Sequence, residues 1–456
     1  MTWRPLPASM GEPSSPVLGD RRTTSVNPVS VRAQRTLRAR YLTSLEHLRG
    51  EEGAFVISNA LVNVANFGFF VVASRLFSAS SYGAITALLS IVTVANTPLN
   101  AIQAGVVHAT VVVRQSLGAA SPRRVVAAFA AAGVGVTMVF AAASILIDRF
   151  FALSSVFPVL MLALWFAPSV VNSALCGSLM GDFKFRAIAI ANVAGAVVRI
   201  ALVVAFGVGG HVFGLAGPII ATSAGITVTA FWIFLAVKRE TSWSSRQPLE
   251  LHLGHTLWAF FSLAGFAAFI AVDVVLARHL LAASIAGNYA AASTAGKIAL
   301  YLSVAVPIVA YPRFAAHHAA GTNPRRNLFH SFVLVVGLGV VASGVMTAFP
   351  HETVLLLFGH RYASAGPLLV WLAPEGAAMG IVGLFTYYHV AQRSLWAILP
   401  WLGVAVASIT MSLAHLSARS LAELMLVSTL GVAVLMAAPE LPLASRLYRR
   451  GNRAGL

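Results

Sequence analysis

Four ionisable side chains interrupt the long apolar runs of this 456-residue chain: Arg199, Asp273, Lys297 and Glu375. A charge at the centre of a bilayer costs on the order of 2.5–3.5 kcal/mol on insertion scales, so each needs a partner or a task. At about 1.5 Å per helical residue, Arg199 lies about 18 Å into its run, Lys297 about 15 Å and Asp273 about 10 Å from the nearer end of theirs. Glu375 follows Pro374. Arg199 and Lys297 could draw a polyanion out of bulk water. Asp273 and Glu375 could form a carboxylate site for Na⁺ or H⁺ coupling. Each also has a structural alternative: Arg199 snorkels to the interface, Lys297 pairs with Asp273 on the neighbouring run, and a buried carboxylate serves packing alone.

Amides form a second pattern. Asn59, Asn63 and Asn66 recur at i, i+4 and i+7, Asn96, Asn100 and Gln103 do the same, and Asn192 shares a helical face with Arg199 seven residues on. These residues could line a hydrated lumen, or they could hydrogen-bond between helices as packing glue. Tyr387, Tyr388 and His389 read as interface anchors.

The elements that position these residues are membrane spans. Apolar residues make up 58% of the chain and charged ones 10%, against about 45–50% and about 25% in soluble domains, which excludes an ordinary soluble enzyme. Runs long enough for a hydrocarbon core of about 30 Å fall at 53–76, 84–113, 125–147, 157–180, 187–208, 212–237, 256–280, 287–311, 328–349, 364–392, 395–416 and 420–439. The runs at 84–113 and 364–392 exceed a straight crossing, so tilt, a bend at Pro98 or Pro374, or protrusion into water absorbs the excess. Cys176 stands alone, so no internal disulfide or Cys-based zinc site forms. Ala295-Gly296-Lys297 lacks the rest of a phosphate-cradling loop. No catalytic or metal-ligating set is expected.

With the N-terminus inside, 24 of the 31 Lys and Arg residues fall in the tails and connections on that side. Five fall outside: Arg75, Arg149, Arg278, Arg361 and Arg419. Basic residues stay cytoplasmic, so both termini are expected in the cytoplasm of a cell with this protein in its plasma (inner) membrane. The net charge of +17 is then a topology signal rather than a footprint for nucleic acid. The expected organisation is a basic tail over 1–50, a six-helix half over 51–240, a cytoplasmic linker over 241–255, a second six-helix half over 256–440 and a basic tail over 441–456. The Pro-rich first tail is expected to be disordered, except that Leu37, Tyr41, Leu45 and Leu48 oppose Arg32, Arg35 and Arg38. That segment is either an interfacial helix or a solvated tail.

The halves repeat each other. Arg123-Arg124 recurs as Arg325-Arg326, Gly133-Val-Gly135 as Gly337-Leu-Gly339, Val71-Val72-Ala-Ser-Arg75 as Val274-Val275-Leu-Ala-Arg278, and Trp165-Phe-Ala-Pro168 as Trp371-Leu-Ala-Pro374. The shared order and near-constant offset argue against chance. An even number of spans per half inserts both halves in one orientation, an arrangement common in alternating-access transporters. None of the four charges has a charged counterpart in the other half, where Ala405, Phe70, Thr93 and Ser169 or their neighbours stand.

The run Asp273-Val-Val-Leu-Ala-Arg-His-Leu-Leu, followed by Ala286-Gly287-Asn-Tyr289, Pro307 and Tyr311-Pro312, resembles helices seven and eight of Wzx-type polysaccharide flippases. Leu355-Leu-Leu-Phe358-Gly359-His-Arg-Tyr362 resembles the element before their helix ten, and the segments from Ser78 to Gly83 and from Gly207 to Gly217 fit the same pattern. The resemblance covers 53–440 and extends to the superfamily of multidrug, oligosaccharidyl-lipid and polysaccharide exporters. It implies an all-α integral membrane protein with twelve transmembrane helices in two repeat-related six-helix lobes, V-shaped and MATE-like. It also implies a transporter, not an enzyme, moving a polyprenyl-diphosphate-linked oligosaccharide to the outer leaflet for cell-surface polysaccharide biosynthesis. Arg199 and Lys297 would then meet the diphosphate, the amides the sugar, and Asp273 and Glu375 a coupling Na⁺ or H⁺, because some multidrug members place acids on helices seven and ten. No bound cofactor is implied; the partners are the lipid-linked glycan, the bilayer and polysaccharide-assembly proteins. A cation-coupled multidrug antiporter and a lipid-linked peptidoglycan precursor flippase are the alternatives. A multi-pass glycosyltransferase fits poorly, because the acids in or near the external connections are only Asp148, Glu352 and Glu423.

The charge count makes a direct prediction. Cysteine labelling from either side of the membrane should place Arg124, Arg246 and Arg325 inside and Arg149, Arg361 and Arg419 outside; external access at position 246 would break the topology.

Overall fold

A computed structural model of the protein describes residues 57–58, 61–115, 122–182, 184–209, 213–240, 253–319, 322–414 and 417–440. All lie within Glu51–Leu456, one compact unit. Both tails, most of the 241–255 linker and Asn59 fall outside the described residues. Among the described residues the regular structure is helical, as hydrocarbon demands of a chain that must satisfy its own backbone groups.

In the first half the helices are α1 (Leu61–Leu76), α2 (Ala79–Gln115), α3 (Pro122–Ala142), α4 (Ser144–Phe150), α5 (Phe157–Ala163), α6 (Phe166–Gly181), α7 (Phe185–Val208) and α8 (Ala216–Glu240). In the second half they are α9 (Leu253–Leu280), α10 (Ala283–Ser303), α11 (Ala305–Ala319), α12 (Arg325–Ala348), α13 (Pro350–Phe358), α14 (Gly366–Ala391), α15 (Pro400–Ala414) and α16 (Ala418–Ala437). Among the described residues, ten spans are long and apolar enough to cross a membrane, and α3 with α4, bent by 50°, would make an eleventh. The chain is therefore a multi-pass membrane protein, and two of the expected spans differ in their course. The span expected at 125–147 breaks after Ala142, where the sequence Ala141-Ala-Ala-Ser144 has neither Pro nor Gly to mark a bend. The span expected to end at 311 runs on as α11 to Ala319, and of the span expected at 53–76 the described residues include Leu61–Leu76.

Two helices organise the packing. α2 packs on α6 of its own half and on α9 and α10 of the other; α14 packs on α10, α12 and α16. Pro98 lies inside α2 and Pro374 inside α14, and both helices run past them. Close contact with α14 comes from glycine: a Cβ on Gly296 would overlap the Leu372 carbonyl, and one on Gly376 the Gly296 carbonyl. Gly380, one turn beyond Gly376, packs on Ser303 in the same way. Small residues at this spacing let helices approach where hydrocarbon offers no hydrophobic drive to associate.

The halves meet at the end of the molecule that carries the α1–α2 and α9–α10 connections. Gly83 and Ala79 of α2 lie against the backbone of Gly287 in α10, and the Tyr82 hydroxyl donates to Thr294 Oγ1 at 3.3 Å. Arg75, at the end of α1, donates to the carbonyls of Leu355, Leu356 and Leu357 at 3.2, 2.6 and 3.3 Å. These are last-turn carbonyls of α13, where the backbone ladder runs out of donors; that of Leu355 also accepts from the Gly359 N–H at 3.0 Å. Arg361 returns the contact, donating to the Phe77 carbonyl at 2.7 Å. Gly359 ends α13 at φ +88 directly beneath the Arg75 guanidinium, so both its backbone conformation and the close approach require glycine. The repeat counterpart Arg278 does the converse: it donates to the carbonyls of Phe151 and Ala152 beyond α4, at 3.0 and 3.2 Å, while His279 stacks on Phe150.

Candidate functional site

Three of the four charged residues converge in the second half. Asp273 on α9 is buried; its Oδ1 lies 3.0 Å from Lys297 Nζ on α10 and its Oδ2 accepts from the Ser293 hydroxyl at 2.5 Å. Glu375 on α14 is also buried, accepts from Thr429 on α16 at 3.4 Å, and lies within electrostatic reach of both Asp273 and Lys297. The backbone contact between Gly296 and Gly376 brings this about, because each glycine sits beside one of the charged residues. With both acids ionised the set carries one negative charge too many for a low-dielectric site. One proton or one Na⁺ would balance it, and the Glu375 and Asp273 carboxylates with the Thr429 hydroxyl are the groups able to hold it. Among the described residues no three His, Cys, Asp or Glu side chains cluster as a metal site.

Arg199 is held separately, in the first half. Its Nη1 donates to Asn66 Oδ1 on α1 at 2.8 Å, and its guanidinium lies 3.8 Å above the Phe69 ring, an attractive cation–π placement. It sits one turn past Gly195, which faces Gly225 of α8. Its Nε is buried without a hydrogen-bond partner among the described residues.

The amides divide into two groups. Asn63, Asn96 and Asn100 are exposed on otherwise apolar helices, and Asn192 is half-buried. Gln103 instead donates to the Met180 sulfur at 2.8 Å, joining α2 to α6. The expected interface anchors are also corrected. Tyr388 is buried against Phe314, and His389 is buried with Nε2 2.9 Å from the Met436 carbonyl; both pack the core of the second half.

Sequence reasoning found the four charges but missed Ser293, Thr429, Gly296 and Gly376. Gly296 was visible only as part of a failed phosphate loop, whereas the Gly376–Gly380 spacing was a readable signal of helix crossing.

A family model described as polysaccharide biosynthesis protein matches residues 72–367, more than half of the chain. The chain belongs to this polysaccharide biosynthesis family. Solved structures give the fold. A mutant form of the Vibrio cholerae MATE transporter VcmN aligns with a TM-score of 0.61 at 17% identity, covering 90% of this chain and 97% of that one. The lipid II flippase MurJ in an inward closed conformation aligns with 0.60 at 13%, covering 84% and 86%. The eukaryotic MATE transporter AtDTX14 aligns with 0.52 at 13%, covering 85% and 90%. No curated protein matches the sequence. This member of the family thus has the all-helical fold of MATE transporters and MurJ.

Breaking one side of a buried ion pair costs about 3–5 kcal/mol, whereas removing both charges costs far less. Asp273→Asn should therefore lower the thermal unfolding midpoint of the purified protein, and adding Lys297→Met should restore it. A midpoint unchanged by Asp273→Asn would show that the pair contributes nothing to stability.

Proposed function

We propose that this protein flips a polyprenyl-diphosphate-linked oligosaccharide from the cytoplasmic to the outer leaflet, as a step in cell-surface polysaccharide biosynthesis. The reading rests on the exposed amides. Asn63, Asn96 and Asn100 are exposed in a chain whose other exposed span positions are largely apolar. An amide turned to lipid would lose its hydrogen bonds, so these groups fit the wall of a hydrated cleft. Such a wall suits sugar hydroxyls, which both donate and accept.

The charges supply the rest. Arg199 and Lys297 are the cations able to take a diphosphate away from bulk water. By the bias of basic residues, the end latched by Arg75, Arg278 and Arg361 faces outward and both termini face the cytoplasm. The cleft is then closed on the outside, ready to load from within. Release outside requires the latch to open and the opposite end to close. The excess negative charge around Asp273, Lys297 and Glu375 supports coupling of this exchange to H⁺ or Na⁺. The protein is a transporter rather than an enzyme in this reading, with the lipid-linked glycan, the bilayer and polysaccharide-assembly proteins as partners, in the plasma (inner) membrane. A multidrug antiporter shares the fold, but the described part of α1 carries four polar positions without an acid, Asn63, Asn66, Ser74 and Arg75.

The test is transbilayer movement of a lipid-linked oligosaccharide in vesicles, read by an impermeant lectin. Arg199→Ala and Lys297→Ala should each slow movement by about ten-fold, as expected for the loss of one charge-assisted contact. Arg199→Lys should be milder, and Glu375→Gln should remove the response to an imposed H⁺ or Na⁺ gradient. Full activity in both alanine variants, or transport of cationic dyes in place of glycan, would overturn the assignment.

A further inference from the structure

Away from the charged cluster, the second half carries a concave apolar groove of about 1020 Å³ between α10, α12 and α13. Phe329, Val333, Gly337, Val341 and Val345 of α12 form its floor, with Ile298 and Leu302 of α10 on one side and Leu356 of α13 at one end. From Phe329 to Val345 the floor runs about 24 Å at 1.5 Å per residue. One leaflet is half of a core of about 30 Å, so the groove is longer than the acyl chain of an ordinary phospholipid reaches within its leaflet. Gly337 lies mid-floor, and a Cβ built there meets nothing within 4 Å; its absence keeps the channel open.

One end of the groove lies beside basic side chains. His330 lines it, and Arg326, one turn earlier on the same stripe of α12, is exposed. The neighbouring Arg325 is engaged by Glu440 at 3.6 Å. A phosphate on a long apolar chain matches this pairing of a basic mouth with an extended apolar trough. In the orientation given above, that mouth opens on the cytoplasmic side.

We propose that the groove seats the polyprenyl chain of the transported lipid, with Arg326 and His330 meeting its phosphate during loading. The inference rests on the transport reading and deepens it. α10 carries Ile298 into the groove and Lys297, the preceding residue, into the charged cluster. A chain lying in the groove thus holds its head group beside the helix that carries a candidate diphosphate cation.

The experiment uses the full chain in vesicles of phosphatidylethanolamine and phosphatidylglycerol. A polyprenyl phosphate carrying a diazirine on its chain is photolysed and the labelled residues are mapped by mass spectrometry. Label should appear on 333–345 and be displaced by unlabelled polyprenyl phosphate. Gly337→Trp should lose it with no fall in thermal midpoint, and Arg326→Gln should reduce it. A diazirine phosphatidylglycerol labelling the same residues equally would mean that ordinary lipid fills the groove, and label undiminished by Gly337→Trp would place the chain elsewhere; either result overturns the proposal. Glycan movement lost while the labelling persists would count against the transport reading alone, and labelling absent while glycan still moves would count against the groove alone.

Discussion

The fold depends on arginines that reach across to backbone carbonyls at or just beyond helix ends. The last turn of α13 leaves such carbonyls at Leu355, Leu356 and Leu357, and Arg75 from the other half takes all three. Arg278, at the repeat-related position, does the same for Phe151 and Ala152. A guanidinium suits this task because it donates from several N–H groups in one plane and stays charged. The reciprocity gives the two halves a latch at one end, where these polar contacts flank buried packing of Tyr82 on Phe358 and Tyr362.

α10 connects the latch to the chemistry. Gly287 and Thr294 touch α2 at the closed end, Lys297 pairs with Asp273, and Ile298 lines the lateral groove. These contacts fall within about 17 Å along one helix, at 1.5 Å per residue. A shift of α10 against α14 would disturb the ion pair and the α2 contact together. The glycines at 296 and 376 set the helices so close that small displacements matter.

Much of this was legible in the sequence. Long apolar runs located most spans, and Lys297 with Asp273 was readable as a pair because opposite charges in hydrocarbon find each other. The repeat drew attention to Arg75 and Arg278 without revealing their task. Their partners are backbone carbonyls, which every residue has, and for Arg75 they lie about 280 positions away. Arg75, Arg278 and Arg361 appeared only as exceptions to the charge bias, and the latch accounts for them. Arg419, another exception, pairs with Glu423 at 2.8 Å. The break after Ala142 and the burial of Tyr388 and His389 were not legible, since packing partners rather than local composition decide both.

The account stands on the closed end and the opposite end opening in turn. Distances between spin labels decide it most directly, in a Cys176→Ser background with one pair at Ser80 and Ser284 beside the latch and another at Lys238 and Asn323, all exposed positions. In vesicles the Ser80–Ser284 pair should give one short distance, with a longer one appearing and the Lys238–Asn323 pair drawing together when a lipid-linked oligosaccharide is added. Removing Arg75 and Arg278 together should populate the longer distance without substrate. Distances at both ends that stay fixed under all these conditions would contradict alternating access.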